Sequence, residues 1–296
     1  MVQAHRTALD QGMAGEGRHR LAQPGRLPRN ALVYFIAVGF VGFCLLPFYV
    51  MITTALKTES DLFAWPPVLL FEPSLDSIRS AFFGGRSIIP YLVNSAVMSG
   101  GSTIIATILG SMAAFGLARF KFKGSASLSF WILSTRMAPP VAFLVPMFVI
   151  FRNLGLIDTH LGLIIIYTSM NLSFVTWVLI GFFKEIPVEL EESALVDGYT
   201  YWQYFRRIAL PLVRPGLAAT AILSAIFAWN EFLFAITLTS KKAATIPIYL
   251  TGFSESLGIR WGEFMAVGCF AVIPIMIFTF ALQKHLVRGL TFGAVK

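Results

Sequence analysis

The sequence predicts an all-α membrane protein with six transmembrane helices, and three observations carry that prediction. Of the 296 residues, 56% are hydrophobic and only 13% are charged, which is about half the charged share of an ordinary soluble domain. The mean hydropathy is +0.74. Six apolar runs are long enough to cross the roughly 30 Å of a bilayer's hydrocarbon core. A bilayer serves as the apolar solvent that this composition requires.

The six apolar runs define the expected spans in chain order. The first run ends in Lys57 and Glu59 without a small-residue cleavage site, so it is predicted to be a retained helix rather than a signal peptide. The third run contains Pro139 and Pro140, which must interrupt its helical hydrogen bonds. The expected spans are residues 31–53, 91–118, 125–151, 161–183, 216–238 and 264–282.

The placement of Lys and Arg predicts that both termini lie in the cytoplasm. With that orientation, 15 of the 23 basic residues fall on the cytoplasmic side and seven on the other, as the positive-inside rule requires. Residues 1–30 are rich in Gly, Arg, His and Gln, so they are predicted to form a disordered basic tail before a transmembrane domain at 31–296. Because positive-inside retention explains the net charge of +8, no nucleic-acid partner is predicted.

Residues 184–215, here called the helical loop, lie between the fourth and fifth runs and carry local signals for two short helices. Pro187 suits the first position of a helix, where its missing N–H costs nothing. Three acidic residues then occupy the half of the helix where the dipole favours negative charge. Gly198 suits the left-handed conformation that ends a helix. The three acidic residues are Glu189, Glu191 and Glu192.

The second helix of the helical loop is predicted from its cap. Thr200 and Gln203 have the spacing of a capping box, and Pro211 is expected to stop the helix. Four aromatic residues in this segment suggest a surface that contacts another protein. They are Tyr201, Trp202, Tyr204 and Phe205.

The helical loop resembles the cytoplasmic signature of permeases from binding-protein-dependent ABC importers. That signature reads Glu-Ala-Ala, three residues, Gly, nine residues, Ile, one residue, Leu-Pro. This chain has the same spacing, and its only departure is a serine at the second position. The matching residues are Glu192, Ser193, Ala194, Gly198, Ile208, Leu210 and Pro211. Further segments are similar to the second permease subunit of maltose-type carbohydrate importers, at 113–120, 137–139, 155–159, 228–232 and 283–296.

This resemblance implies a type I ABC importer permease fold in the bacterial inner membrane. It implies a subunit that moves a sugar, polyol or small glycoside inward, and that docks on a separate ATPase through the signature residues and Asp197. The implied partners are a second permease, a homodimeric ATPase and an extracytoplasmic solute-binding protein. The chain has no Gly-Lys dipeptide, which a phosphate-binding P-loop needs. We therefore expect ATP and Mg²⁺ on the ATPase, and no cofactor or catalytic residue on this chain.

Polar residues inside the expected spans are candidates for the solute pathway. A charge near a helix centre is costly unless it faces protein, water or an opposite charge. Arg136 and Glu231 are therefore hypothesised to face the interior and to pair across spans three and five. The alternative for Glu231 is snorkelling to the membrane surface. The remaining candidates can also simply pack helices together. They are Pro139, Asn171, Trp229 and Asn230.

A stripe of small residues recurs every fourth position along the second run. Such a stripe lets helices approach closely, so it predicts contact with a helix of this subunit or of a partner permease. No substrate role is expected for it. The stripe consists of Ser102, Ala106, Gly110, Ala114 and Ala118.

Two other classes of membrane protein remain as alternatives. A self-contained secondary transporter would need coupling-ion groups in its spans and usually internal repeats, whereas the runs contain two charges and no evident repeat. A membrane-embedded enzyme would need a catalytic constellation. No metal-binding pattern, Ser/His/Asp arrangement or carboxylate pair is evident in the sequence.

Overall fold

The computed structural model describes residues 27–255 and 258–293, and in these ranges the chain is almost entirely helical. The chain divides into two units, residues 1–49 and 50–296. In the first unit, the described residues belong to α1 (Leu27–Leu56), which begins four residues before the expected span and continues into the second unit. Its side chains from 31 to 49 are exposed, as suits a helix surrounded by lipid. The rest of the predicted tail, 1–26, lies outside the described residues.

The second unit contains the remaining elements. A short antiparallel hairpin, β1 (Ser254–Glu255) and β2 (Gly258–Ile259), is the departure from an all-helical chain within the described ranges. The helices are α2 (Glu59–Leu62), α3 (Asp76–Phe83), α4 (Ile89–Arg119), α5 (Ser125–Met137), α6 (Val141–Asn153), α7 (His160–Lys184), α8 (Val188–Val196), α9 (Tyr201–Tyr204), α10 (Leu210–Leu212), α11 (Arg214–Trp229), α12 (Leu233–Leu238), α13 (Ile246–Thr251) and α14 (Trp261–Gly293).

Four of the six expected spans are continuous apolar helices, namely α1, α4, α7 and α14. The third is broken where the sequence predicts. Helices α5 and α6 meet at a 95° bend around Pro139 and Pro140, because proline lacks the N–H that would continue the ladder.

The fifth expected span, 216–238, is not one helix, so that prediction is wrong in detail. Helix α11 has 16 residues, which reach about 24 Å and fall short of a bilayer core. The chain breaks at residues 230–232 and restarts as α12. The restart is stabilised by Glu231, whose carboxylate accepts hydrogen bonds from the N–H groups of Phe234 and Ala235 at 3.0 and 3.2 Å. These are donors that a helix start leaves without an internal partner.

The small-residue stripe on α4 packs against α7 of the same subunit. A Cβ atom on Gly110 would lie 2.6 Å from Cγ1 of Val175, so only glycine permits this approach. The stripe residues from 102 to 114 are buried. This resolves the two alternatives in favour of contact within the subunit and makes α4 and α7 an interlocked pair.

Candidate functional site

The helical loop folds as two helices joined by a tight turn, as expected. Gly198 has φ +84°, which confirms the left-handed end of α8. Pro187 has φ −56° and ψ 139° and lies just before α8, one residue earlier than predicted. The capping box of α9 is confirmed, because Thr200 accepts the N–H of Gln203 while the Gln203 side chain accepts the N–H of Thr200.

Pro211 does not stop the second helix, contrary to the prediction. A π-helical turn at Phe205–Ala209 precedes it, and the chain stays helical to Leu212 before a 78° bend. The N–H of Leu210 bonds to the carbonyl of Phe205. In a regular α-helix the proline ring would clash with the carbonyl four residues earlier. The wider π turn relieves that clash.

The signature residues differ in exposure. Glu192, Ser193, Asp197 and Gly198 are exposed, whereas Ala194 is buried. Ile208, Leu210 and Pro211 are half-buried. The exposed residues are therefore free to meet a partner, whereas the buried and half-buried residues attach the loop to the membrane helices.

The predicted aromatic surface is only half correct. Tyr201 and Trp202 are exposed, but Tyr204 and Phe205 are buried. The rings of Tyr204 and Phe205 pack on Phe115 of α4, and their centroids lie 6.0 and 5.0 Å from that of Phe115. Burial raises the pKa of the Tyr204 hydroxyl. Tyr204 and Phe205 therefore anchor the loop to α4 and do not form part of a surface for a partner protein.

A buried ion pair, which sequence reasoning missed, also ties the helical loop to α4. Nε of Arg119 lies 3.4 Å from Oε2 of Glu191, and Nη2 of Arg119 donates a 2.7 Å hydrogen bond to the carbonyl of Ile186. The two charged side chains are 5% and 12% exposed. An arginine at the end of an apolar run reads as a positive-inside residue, so the sequence offers no signal for this partner.

A cavity of about 870 Å³ opens beside the bend between α5 and α6. Helices α5, α6, α7 and α11 form most of its wall. Its polar and aromatic lining includes Trp131, Thr135, Arg136, Phe143, Tyr167, Asn171, Ser173, Phe227 and Glu231.

Three of the six pathway candidates line the cavity, namely Arg136, Asn171 and Glu231. The other three do not. Nε1 of Trp229 donates to the carbonyl of Ala271 at 3.1 Å, so this buried ring packs α11 against α14.

Asn230 is turned back onto its own helix, where Nδ2 donates to the carbonyl of Ile226 at 2.8 Å. Pro139 forms the bend, whereas its neighbours Ala138 and Pro140 reach the cavity. Sequence reasoning missed Trp131, whose ring lies on the wall formed by α5.

Arg136 and Glu231 share the cavity but are not paired. Nη1 of Arg136 donates to the carbonyl of Met170 at 2.9 Å, and its guanidinium lies 5.0 Å from the centre of the Phe227 ring. Glu231 instead caps α12. No ion pair within the described part of the chain joins the two. The pairing hypothesis is therefore wrong, because backbone groups and rings satisfy both charges separately.

The family model described as binding-protein-dependent transport system inner membrane component matches residues 106–292. The trehalose transport system permease protein SugB of Mycobacterium tuberculosis is 38% identical, over 86% of this chain and 94% of its own. The diacetylchitobiose uptake system permease protein DasC of Streptomyces coelicolor is 33% identical, over 92% and 98%.

The fold is similar to that of a chain in the crystal structure of a bacterial ABC transporter involved in the import of the acidic polysaccharide alginate. The TM-score is 0.72 at 20% identity, over 86% of this chain and 95% of the other.

Proposed function

The chain belongs to the family of binding-protein-dependent transport system inner membrane components, and we propose that its helical loop couples carbohydrate import to a separate ATPase. The chain is a permease subunit of an ABC importer for carbohydrates, located in the inner membrane. It is a transport component whose ATPase activity lies in another subunit. This identity replaces the secondary transporter and membrane enzyme considered above.

The exposed edge of the helical loop is the observation that carries the proposal. Val196 is 87% exposed and Trp202 is 55% exposed, and Glu192, on the same helix as Val196, is exposed as well. Exposed apolar side chains on a segment that also carries charge are costly in water and suit a protein interface. The same segment stands on a base of buried aromatics, so it presents this edge in a fixed orientation.

We place the helical loop and both termini in the cytoplasm, where the ATPase would reach them. ABC importer permeases work with an ATPase and a solute-binding protein. The finer composition proposed for this complex is one different permease, two identical ATPase subunits and one binding protein. In this arrangement ATP and Mg²⁺ bind the ATPase alone.

The cavity is the proposed route of the solute past this subunit. Its volume falls within the range of about 300–1,000 Å³ that is usual for small-molecule sites. Its lining offers an arginine donor, an amide, hydroxyls and the exposed ring of Trp131. Hydroxyl-rich rings such as sugars match this combination, since they offer both hydrogen-bonding groups and apolar faces. A disaccharide is the proposed class, by analogy with the sugars named for the two relatives.

Two measurements test the proposal. In the first, the tagged chain is purified from its strain in mild detergent. In the second, the strain that carries the gene and a matched strain that lacks it are given a panel of labelled sugars and polyols. We expect an ATPase and a second permease to copurify, and ATP-dependent uptake of a disaccharide to require the gene. A chain that purifies alone from a strain with active uptake contradicts the proposal.

A further inference from the structure

We propose that Arg119 and Glu191 are positioning residues that transmit movement of the helical loop to α5, the wall of the cavity that carries Arg136. The inference rests on the proposed function of the loop. It goes further by naming the contact through which the loop acts on the cavity and the helix that responds.

The Arg119–Glu191 ion pair fixes the loop to the end of α4. Arg119 is the last residue of α4, and it reaches both the Glu191 carboxylate on α8 and the carbonyl of Ile186 just before α8. The pair is almost fully withdrawn from water. Removing one partner from such a pair leaves an uncompensated buried charge, so the loop and the end of α4 should move as one body.

Helix α5 starts from that fixed point. Only residues 120–124 separate Arg119 from the first residue of α5. The first of them, Phe120, packs its ring on Tyr201 of α9 with centroids 5.0 Å apart. The connection is therefore held against both helices of the loop, and a shift of the loop displaces the start of α5.

Helix α5 is the part of the cavity wall that can respond. None of its residues is buried, whereas α4 and α7 are interlocked at Gly110 and Val175. At its far end α5 is attached to α7 by two polar contacts. The Thr135 and Ser173 hydroxyls lie 2.8 Å apart, and Arg136 donates to the carbonyl of Met170.

A displacement at the start of α5 would therefore tilt the helix about these two contacts. Trp131, Ile132, Thr135 and Arg136 all line the cavity from α5. The tilt would change the width of the cavity and the position of the arginine within it. Movement of the loop is thus converted into a change at the solute route.

The test uses the whole transporter with its ATPase, reconstituted in lipid, and the variants Arg119→Met and Glu191→Gln. The exposed Lys121→Ala serves as control, since it removes a cation two residues away. We expect uptake per ATP hydrolysed to fall by about 5- to 150-fold, the usual size of a coupling between sites. The double variant should be no worse than either single variant, because the two residues act as one unit. The inference is overturned if the losses of the two single variants add in the double variant. It is also overturned if both single variants keep the unmodified ratio of uptake to ATP hydrolysed.

A distance measurement distinguishes transmission from stability. Spin labels are placed at Phe130 of α5 and Trp177 of α7, both exposed. We expect an ATP-dependent distance change in the unmodified transporter and none in Glu191→Gln. This variant keeps the shape of the glutamate side chain, so the measurement remains possible even if Arg119→Met fails to assemble. An equal change in both contradicts the inference. Copurification of the ATPase distinguishes failure of the proposed function from failure of this inference. If the unmodified chain does not retain the ATPase, the proposed function fails. If the ATPase is retained and Glu191→Gln couples uptake to ATP hydrolysis normally, only the inference fails.

Discussion

The carboxylate of Asp158 accepts a hydrogen bond from the backbone N–H of Ala243 at 3.0 Å, although 85 residues separate them. Asp158 has φ +56° and lies just before α7. Its two oxygens also accept the N–H groups of Ser240, Lys241 and Lys242 and the hydroxyl of Ser240. One side chain thus orders the connection between α12 and α13. This connection lies at the end of α7 opposite the helical loop.

Loss of the Asp158 carboxylate should destabilise the fold. We expect Asp158→Ala to lower the free energy of unfolding by about 1–2 kcal/mol, since several charge-assisted hydrogen bonds depend on it. Asp158→Asn should lose less, because asparagine tolerates the positive φ and keeps one acceptor oxygen. Thermal unfolding in detergent measures both, and equal stability of all three proteins contradicts the assignment.

The pH dependence of that contribution follows from the direction of its pKa shift. Burial opposes ionisation of Asp158, but the N–H groups of Ala243, Ser240 and Lys242 outweigh it and hold the pKa well below its usual range. The stabilisation is complete above the unfolded-state pKa of about 3.9 and is lost as the pH falls through the lower folded-state value. The difference in unfolding free energy between the unmodified chain and Asp158→Asn should therefore be constant from neutral pH to about pH 5 and shrink below it.

A methyl group at Gly110 should disrupt the α4–α7 interlock. We expect Gly110→Ala to cost about 1–3 kcal/mol through overpacking against Val175. Gly116→Ala, with no atom within 4 Å of its added Cβ, is the control on the same helix and should be neutral or slightly stabilising. If thermal unfolding shows both variants to be alike, the close approach at Gly110 is wrong.

Substitution of a cavity residue should change the KM for solute, whereas substitution of a packing residue should change stability. Arg136→Gln should raise the apparent KM for solute at least about tenfold, a loss typical of one charged hydrogen-bond donor, with normal protein levels. Trp229→Phe should instead lower stability by about 1 kcal/mol, the usual value of one hydrogen bond, and leave KM unchanged. Uptake kinetics together with thermal unfolding separate the two effects. Normal KM in Arg136→Gln would contradict its place on the solute route.

Exchanging the charges of Arg136 and Glu231 should not restore transport. Each single reversal removes a separate set of contacts, the Met170 carbonyl for Arg136 and the α12 cap for Glu231. We therefore expect the double variant Arg136→Glu/Glu231→Arg to be at least as impaired as either single variant. Recovery of uptake in the double variant would revive the idea of an ion pair between them.

Features with local causes could be predicted from the sequence. The capping box at Thr200 and Gln203, the left-handed Gly198 and the break at Pro139 each depend on residues within one turn of chain. The apolar runs likewise predict the four continuous spans, because bilayer thickness sets their length.

Features decided by distant parts of the chain could not be predicted. Glu191 looks like a member of an acidic helix start until the fold brings Arg119 against it, 72 positions away in the sequence. Tyr204 and Phe205 read as surface aromatics until α4 places Phe115 beside them. The continuation of the helix through Pro211 depends on a π turn that has no clear sequence signal.

The most direct test of coupling is a crosslink between the helical loop and the ATPase during transport. Val196→Cys is made in a chain whose own cysteines, Cys44 and Cys269, are replaced, and a thiol-reactive crosslinker is added to membranes that import solute. Phe83→Cys on α3, 85% exposed like the 87% of Val196, is the matched control. We predict a crosslinked ATPase from position 196 and none from position 83. An actively importing complex in which position 196 never reaches the ATPase would contradict the account.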